Sequence, residues 1–158
     1  MPPKNLARMI QLAEESFAMR SDPTQLAVNE ATMEKLALLH PDTLAEEATA
    51  DGPVAWGLVI PTTGDLMKNF LEKKTNEREL FERTLPGMNF TAIYLCSALV
   101  LPEYRRKGLA KKLLSASVRA IQKDHQINEL FYWAFSPEGR MLAESIAKEL
   151  KIPLRERK

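Results

Sequence analysis

The sequence predicts an α+β fold of the mixed kind (α/β mixed), a central twisted sheet of antiparallel and parallel strands flanked by helices. Three observations carry it. Residues 44–60 read as two short strands around Asp51, Gly52 and Pro53, the pattern of an antiparallel hairpin. Residues 90–135 read as strand, helix, strand, the right-handed crossover that joins parallel neighbours. Helical stripes precede the hairpin and follow the last strand, supplying the layers that must cover such a sheet. The expectation is one domain over 1–158 with a helical insertion at about 62–87.

Composition narrows the classes. Apolar residues are 45% and charged residues 27% of 158, the balance of a soluble globular chain rather than a disordered one. No apolar run reaches the length of a membrane span, and MPPKNLARMI lacks the apolar core of a signal peptide. Cys96, the single cysteine, has no internal disulfide partner, so a reducing, cytoplasmic setting is expected. The net charge of +1 conceals an asymmetry: nine Lys or Arg against fourteen Asp or Glu up to residue 100, thirteen against seven beyond it. The basic share, net +6, falls on the part that holds the turn at residues 105–110, and would draw a partner carrying several phosphates.

In chain order, Asn5 is the expected cap of a first helix with Leu6, Met9, Ile10, Ala13 and Phe17 in its apolar stripe. Arg20, Ser21 and Asp22 break the pattern. Asp22 and Pro23 suit the start of a second helix over 24–40, with Leu26, Met33, Leu36, Ala37 and Leu39, stopped by Pro41. In the hairpin, Glu46 and Glu47 fall at an exposed edge. Gly57 marks a bulge or a close approach to the backbone, and the bulge is the expectation.

The insertion reads as two helices, one capped by Asp65 and holding Leu66, Met67, Phe70 and Leu71, the other capped by Asn76 and holding Leu80 and Phe81. It either walls a pocket or only packs. A strand over 90–100 follows, with Ile93, Leu95, Leu99 and Val100, and Pro102 ends it. Residues 108–123 form an amphipathic helix with Leu109, Leu113, Leu114, Ser117 and Ile121 inward and Lys111, Lys112, Arg119 and Lys123 outward. ELFYWAF, 129–135, is a covered strand. A last helix opens at Ser136, Pro137, Glu138 and Gly139 and runs to 150 with Met141, Leu142, Ile146 and Ala147 inside; the tail KIPLRERK adds an edge strand or frays.

The turn between strand and helix carries the chemistry. Gly108 permits a tight conformation with nothing projecting over the amides, Ala110 keeps the first helical turn narrow, and the N–H groups from Arg106 to Ala110 can converge on a pyrophosphate. Arg105, Arg106 and Lys107 add charge at its mouth. A solvated basic helix start, or a contact to a nucleic-acid backbone, would use the same residues. Near-neutral total charge and the lack of a helix-turn-helix or zinc pattern weigh against nucleic acid.

Residues 94–110, with Val100, Pro102, Glu103, Tyr104 and then RRKGLA, resemble the acetyl-CoA-binding motif of the GCN5-related N-acetyltransferases (GNAT). Arg105, Gly108 and Ala110 match its pattern of Arg or Gln, two free positions, Gly, one free position, then Gly or Ala. The resemblance covers about 44–150 apart from the insertion, and implies a GNAT-like acyl-CoA N-acyltransferase fold whose sheet splays between the central strand and the strand at 129–135. It implies acetyl-CoA as cofactor, its diphosphate on Arg105, Arg106, Lys107, Gly108, Leu109 and Ala110, its pantetheine paired with backbone of Leu99 and Val100, and its thioester near Cys96, Ser97 and Ala98. An amine of a small molecule or protein would attack the thioester directly; no metal and no membrane enters.

The family often places a tyrosine in the helix after the last core strand, and SPEGRMLAESIAKEL has none. Tyr132 and Ser136 are the nearest hydroxyls and stand as catalytic candidates, with a core tyrosine and a capping serine as the plain alternatives. Glu103 is read as structural, Cys96 as an inert thiol, His40 and His125 as solvated, and Trp56 as a core residue that could also face an acceptor. The missing acid and base leave open a second class, a non-catalytic acyl-CoA-binding or interaction module on the same fold. An edge strand near the C-terminus offers a surface for a homodimer.

Overall fold

The computed structural model describes residues 4–19, 30–134 and 136–158. Helix α1, Lys4–Met19, and α2, Glu30–Leu39, precede the strands β1, Leu44–Thr49, and β2, Gly52–Thr62. Helices α3, Gly64–Leu71, and α4, Glu77–Arg83, lead to β3, Ala92–Val100. A 3-10 turn at Pro102–Tyr104, helix α5, Leu109–Gln122, strand β4, Glu129–Trp133, helix α6, Pro137–Leu150, and strand β5, Leu154–Arg157, complete the order. The five strands lie in sequence order; β1, β2 and β3 are antiparallel, and β3, β4 and β5 are parallel. The mixed, helix-flanked sheet is the one expected, and the tail contributes β5 as its edge.

Pleating puts neighbouring residues of a strand on opposite faces, which separates the helices into two layers. Gly57 faces α5, whose Leu113 and Leu114 lie against it, while Trp56 packs with Met9 and Leu12 of α1. On β4, Phe131 and Trp133 meet Phe70 of α3, and Tyr132 faces α6. The insertion lies in the layer of α1, opposite α5: Phe70 meets Tyr94 and Phe131, and Met67, Phe70, Leu80 and Phe81 are buried in the main core. It packs on the sheet and lines none of the splay cavity described below.

Several local expectations are corrected. Gly57 is paired in register with Ala45 and Ala98. A Cβ there would stand 3.2 Å from Leu113 Cβ and 3.3 Å from Leu114 Cδ2, so the glycine allows a helix to approach. The bulge of β3 falls instead at Cys96, because Ser97 pairs with Leu58 but Leu95 with Val59. Thr63, not Asp65, caps α3, its hydroxyl accepting from Leu66 N–H at 3.2 Å. Asn76 does cap α4, in a reciprocal box with Glu79. Asn5 lies inside α1, and its N–H donates to Asp51 O at 2.7 Å, tying the helix to the hairpin turn.

Ile10 and Met141, placed inside by spacing, are exposed. His40 is the reverse case. It is 5% exposed; Nδ1 accepts from Asp42 N–H at 3.0 Å, which leaves the proton on Nε2 to donate to Asp124 at 2.7 Å. His40 therefore joins α2 to the end of α5 and is not solvated. The proposed start of the second helix at Asp22 and Pro23 lies outside the described residues.

Candidate functional site

The β3–β4 ladder is short. It pairs Ala92 with Glu129, Ile93 with Leu130 and Tyr94 with Phe131, and there it stops, while β3 continues to Val100. β4 ends at Trp133, and Ser136 turns the chain into α6 by accepting from Gly139 N–H at 3.0 Å. The strands thus part above Tyr94. Between them lies a cavity of about 400 Å³, lined from β3 by Leu95, Cys96, Ser97, Ala98 and Leu99, from α5 by Ala110 and Leu114, and otherwise by the end of β4 and the start of α6.

Hydrogen bonding decides which edge of β3 is open. Leu101 N–H donates to Val54 O at 2.9 Å, so in the antiparallel ladder the alternate residue Leu99 also directs its backbone toward β2. Val100 and Ala98 then face the unpaired side. Of the two residues expected to offer backbone groups to an extended arm, Val100 has its backbone directed to the unpaired side, whereas the Leu99 side chain packs with Met9, Val54 and Leu101.

The turn at the mouth of the splay is a nest of amides. Arg106 has φ +65 and Gly108 φ +75, both left-handed, and no side chain caps α5. The first intrahelical bond is Lys112 N–H to Gly108 O at 3.0 Å, which leaves the N–H groups of Leu109, Ala110 and Lys111 without helical acceptors. A Cβ on Gly108 would meet nothing within 4 Å, so the ground above the turn is open. Arg105, Arg106 and Lys107 are all exposed there. Converging amides, clear space and three cations suit a pyrophosphate. Arg105 Nε also donates to Val100 O at 3.0 Å, and Lys107 lies over the Tyr104 ring at 5.3 Å.

Glu103 holds this turn to α1. Its carboxylate takes a hydrogen bond from Arg8 Nη2 at 2.7 Å. That bond, assisted by a backbone hydrogen bond, draws the Glu103 pKa down to about 2. The structural reading of Glu103 fits this tether.

Tyr132 and Ser136 both line the splay cavity. Their hydroxyls differ in commitment. Tyr132 is 5% exposed and donates to Glu156 at 3.2 Å, and Arg140 Nε holds the same Glu156 oxygen at 2.9 Å. Burial, then Glu156, pushes the Tyr132 pKa up, which makes the phenol a weaker acid. Ser136 Oγ accepts from Gly139 N–H, and among the described residues its own proton has no acceptor. Trp56 donates to Glu46 at 2.8 Å and lines no part of the splay cavity. Sequence reading missed the Glu156, Arg140 and Arg157 group, because only the parallel pairing of β5 with β4 brings the tail beside Tyr132 and Trp133. Among the described residues no helix is long and apolar enough to cross a membrane.

Residues 79–143 match the family model described as Acetyltransferase (GNAT) family, a segment running from α4 through β3, the turn, α5 and β4 into α6. The matched segment holds Arg105, Gly108 and Ala110, the residues that carry the resemblance. No curated protein matches the sequence. Among solved structures, an aminoglycoside acetyltransferase from an uncultured soil metagenomic sample is similar at 14% identity and TM-score 0.48, over 94% of this chain and 84% of that one. A ribosomal-protein-alanine N-acetyltransferase from Brucella melitensis biovar Abortus 2308 is similar at 17% identity and TM-score 0.48, over 92% and 87%. Naa20 of Chaetomium thermophilum, solved with a bisubstrate analogue, is similar at 15% identity and TM-score 0.43, over 79% and 56%.

Proposed function

We propose that this chain, with a GNAT family segment at its centre, moves an acetyl group from acetyl-CoA to a primary amine of a small molecule or protein. The observation that carries the reading is the junction of the splay with the nest. The open edge of β3, where Ala98 lines the cavity, stands at one end of a short connection, and Gly108 opens α5 at the other. A cofactor with a diphosphate, an extended amide-bearing arm and a terminal thioester matches that sequence of surfaces.

When bound, acetyl-CoA supplies an activated carbonyl; the chain supplies placement. The N–H groups of Leu109, Ala110 and Lys111, with the cations of the turn, hold the diphosphate. The outward backbone of Val100 and Ala98 orients the arm, and Leu95, Leu114 and Ile146 exclude water from it. A backbone N–H on the open edge of β3 donates to the acyl oxygen as charge develops there. The amine nitrogen would bond to the acyl carbon as the carbon–sulfur bond breaks, the amine proton passing to water, while a hydroxyl of the chain protonates the departing thiolate and regains its proton from solvent. Ser136 and Tyr132 are the hydroxyls in reach of the cavity; Ser136 needs no hydrogen bond broken to act.

The test is calorimetric binding of acetyl-CoA together with thiol release across an amine panel. Gly108→Val is expected to lose binding by tenfold or more, since a β-branched residue at φ +75 pays about 1–2 kcal/mol or distorts the nest. Undiminished affinity in that variant overturns the diphosphate assignment. Binding without turnover of any amine would instead favour a non-catalytic acyl-CoA module.

A further inference from the structure

A second cleft adjoins the splay at the end of β4, and one guanidinium nitrogen there has no hydrogen-bond partner among the described residues. Arg157 pairs across the sheet with Trp133, and its guanidinium carbon lies 4.4 Å from the Phe70 ring centroid and 4.5 Å from that of Trp133. The two rings, 78° apart in plane, hold the group at the mouth of the cleft. Among the described residues Nη1 has no hydrogen-bond partner. The nearby cations are otherwise engaged, Arg155 with Glu129 and Arg140 with Glu156. A buried, charged donor left unsatisfied is costly, and the cost is relieved when a ligand completes it.

The cleft, of about 570 Å³, shares Tyr132, Trp133 and Ala134 with the splay cavity. An acceptor whose amine enters the splay beside Trp133 therefore carries its remaining body over Arg157. The charges lining the cleft are Arg157, Lys158 and Arg140 against Glu144 and Glu156. Arg140 and Glu156 satisfy each other at 2.8 Å, so two cations face one carboxylate, Glu144. One negative group is matched there, whereas a polyanion would be opposed by Glu144.

The geometry points to Arg157 as a specificity-determining residue that receives a carboxylate of the acceptor, either a free amino acid or the acidic portion of a peptide. The inference rests on the acyl-transfer reading above. A bidentate guanidinium–carboxylate pair discriminates strongly against the uncharged amide of the same shape, since the amide leaves the fork unsatisfied.

The experiment compares acetyl transfer from acetyl-CoA to glycine and glycinamide, and to the C-terminally amidated peptides Gly-Asp and Gly-Asn, by wild type, Arg157→Gln and Arg157→Lys. In parallel, N-acetylglycine and N-acetylglycinamide are titrated into each CoA-loaded protein by NMR. Wild type is expected to favour the carboxylate member of one pair by about tenfold or more in kcat/KM. Which pair shows the preference separates amino acid from peptide. Arg157→Gln is expected to erase the preference while the amide rate holds, and Arg157→Lys to restore part of it. Acetyl transfer with no carboxylate preference, or an equal loss on both members in Arg157→Gln, overturns the inference and leaves the acyl-transfer reading standing. Arg157-dependent binding of N-acetylglycine without turnover supports the carboxylate site and removes the enzymatic reading. Neither turnover nor binding removes both.

Discussion

Arg105 Nε lies 3.0 Å from the carbonyl oxygen of Val100, so the first cation of the turn is bonded to the open edge of β3. Its positive charge stands at the turn while its hydrogen bond fixes the backbone that faces the splay. Arg105→Ala should therefore weaken acetyl-CoA binding by about threefold to tenfold at low salt. The gap from wild type should narrow as salt rises, because the exposed charge is screened and only the lost backbone tether persists. Calorimetry at low and high ionic strength reads both parts, and a gap independent of salt would assign the whole effect to the tether.

The Arg8 to Glu103 bond predicts an acid-sensitive docking of α1. With its folded pKa held at about 2 against an ordinary 4.5, Glu103 binds protons less readily in the folded than in the unfolded chain. Its contribution is complete above the unfolded value and is lost as pH falls from about 4.5 toward about 2. Glu103→Gln should flatten that stretch of the stability profile, lying slightly below wild type at neutral pH and meeting it in acid, the gap being small as expected of a solvent-exposed pair. Denaturant unfolding of both proteins at stepped pH checks it; parallel profiles through the acid range would count against the tether.

Much of this architecture is legible in the amino-acid text, where one local rule dominates. The hairpin follows from Asp51, Gly52 and Pro53, the α4 cap from Asn76 with Glu79, and the strand–turn–helix from Pro102 and Gly108. What escapes is set by partners distant in sequence. His40 looks like a helix end until Asp124 arrives beside it, and Gly57 looks like a bulge until Leu113 and Leu114 are brought against it. Asp65 reads as a cap as well as Thr63 does, and the choice between them turns on the exact residue at which α3 leaves β2. Arg157 carries no signal at all in its own stretch, since its rings come from α3 and β4.

The packing of α5 gives a stability test. Gly57→Ala places a methyl 3.2 Å from one side-chain carbon and 3.3 Å from another, tighter than relaxed contact. Overpacking at so buried a junction costs about 1–3 kcal/mol. Guanidinium denaturation should show the loss, and pairing the change with Leu114→Ala should recover part of it. A neutral Gly57→Ala would mean that α5 shifts freely, and with it the nest.

Ser136 and Tyr132 are separable by kinetics. Ser136→Ala removes a helix cap, worth about 1 kcal/mol of stability, and should also lower kcat with KM little changed if its proton reaches the leaving sulfur. Ser136→Thr, which keeps hydroxyl and cap, should restore both. Tyr132→Phe should lower kcat less than tenfold, since its hydroxyl donates to Glu156 in the folded chain. A loss beyond a hundredfold in Tyr132→Phe would reverse the ranking of the two.

The bulge at Cys96 has a consequence for how this chain tolerates editing. The pairing of β2 with β3 advances by one residue at that point, so the facing of Ser97 to Val100 is set by their partners Leu58 to Ala55, whatever side chain occupies position 96. Substitutions at Cys96 leave those pairs intact. Deleting it would leave Leu95 opposite Val59 and Ser97 opposite Leu58 in a regular ladder, so the faces of Ser97, Ala98, Leu99 and Val100 would be kept and only the local kink lost. Neither substitution nor deletion at position 96 should therefore close the open edge, whereas an insertion beside it should.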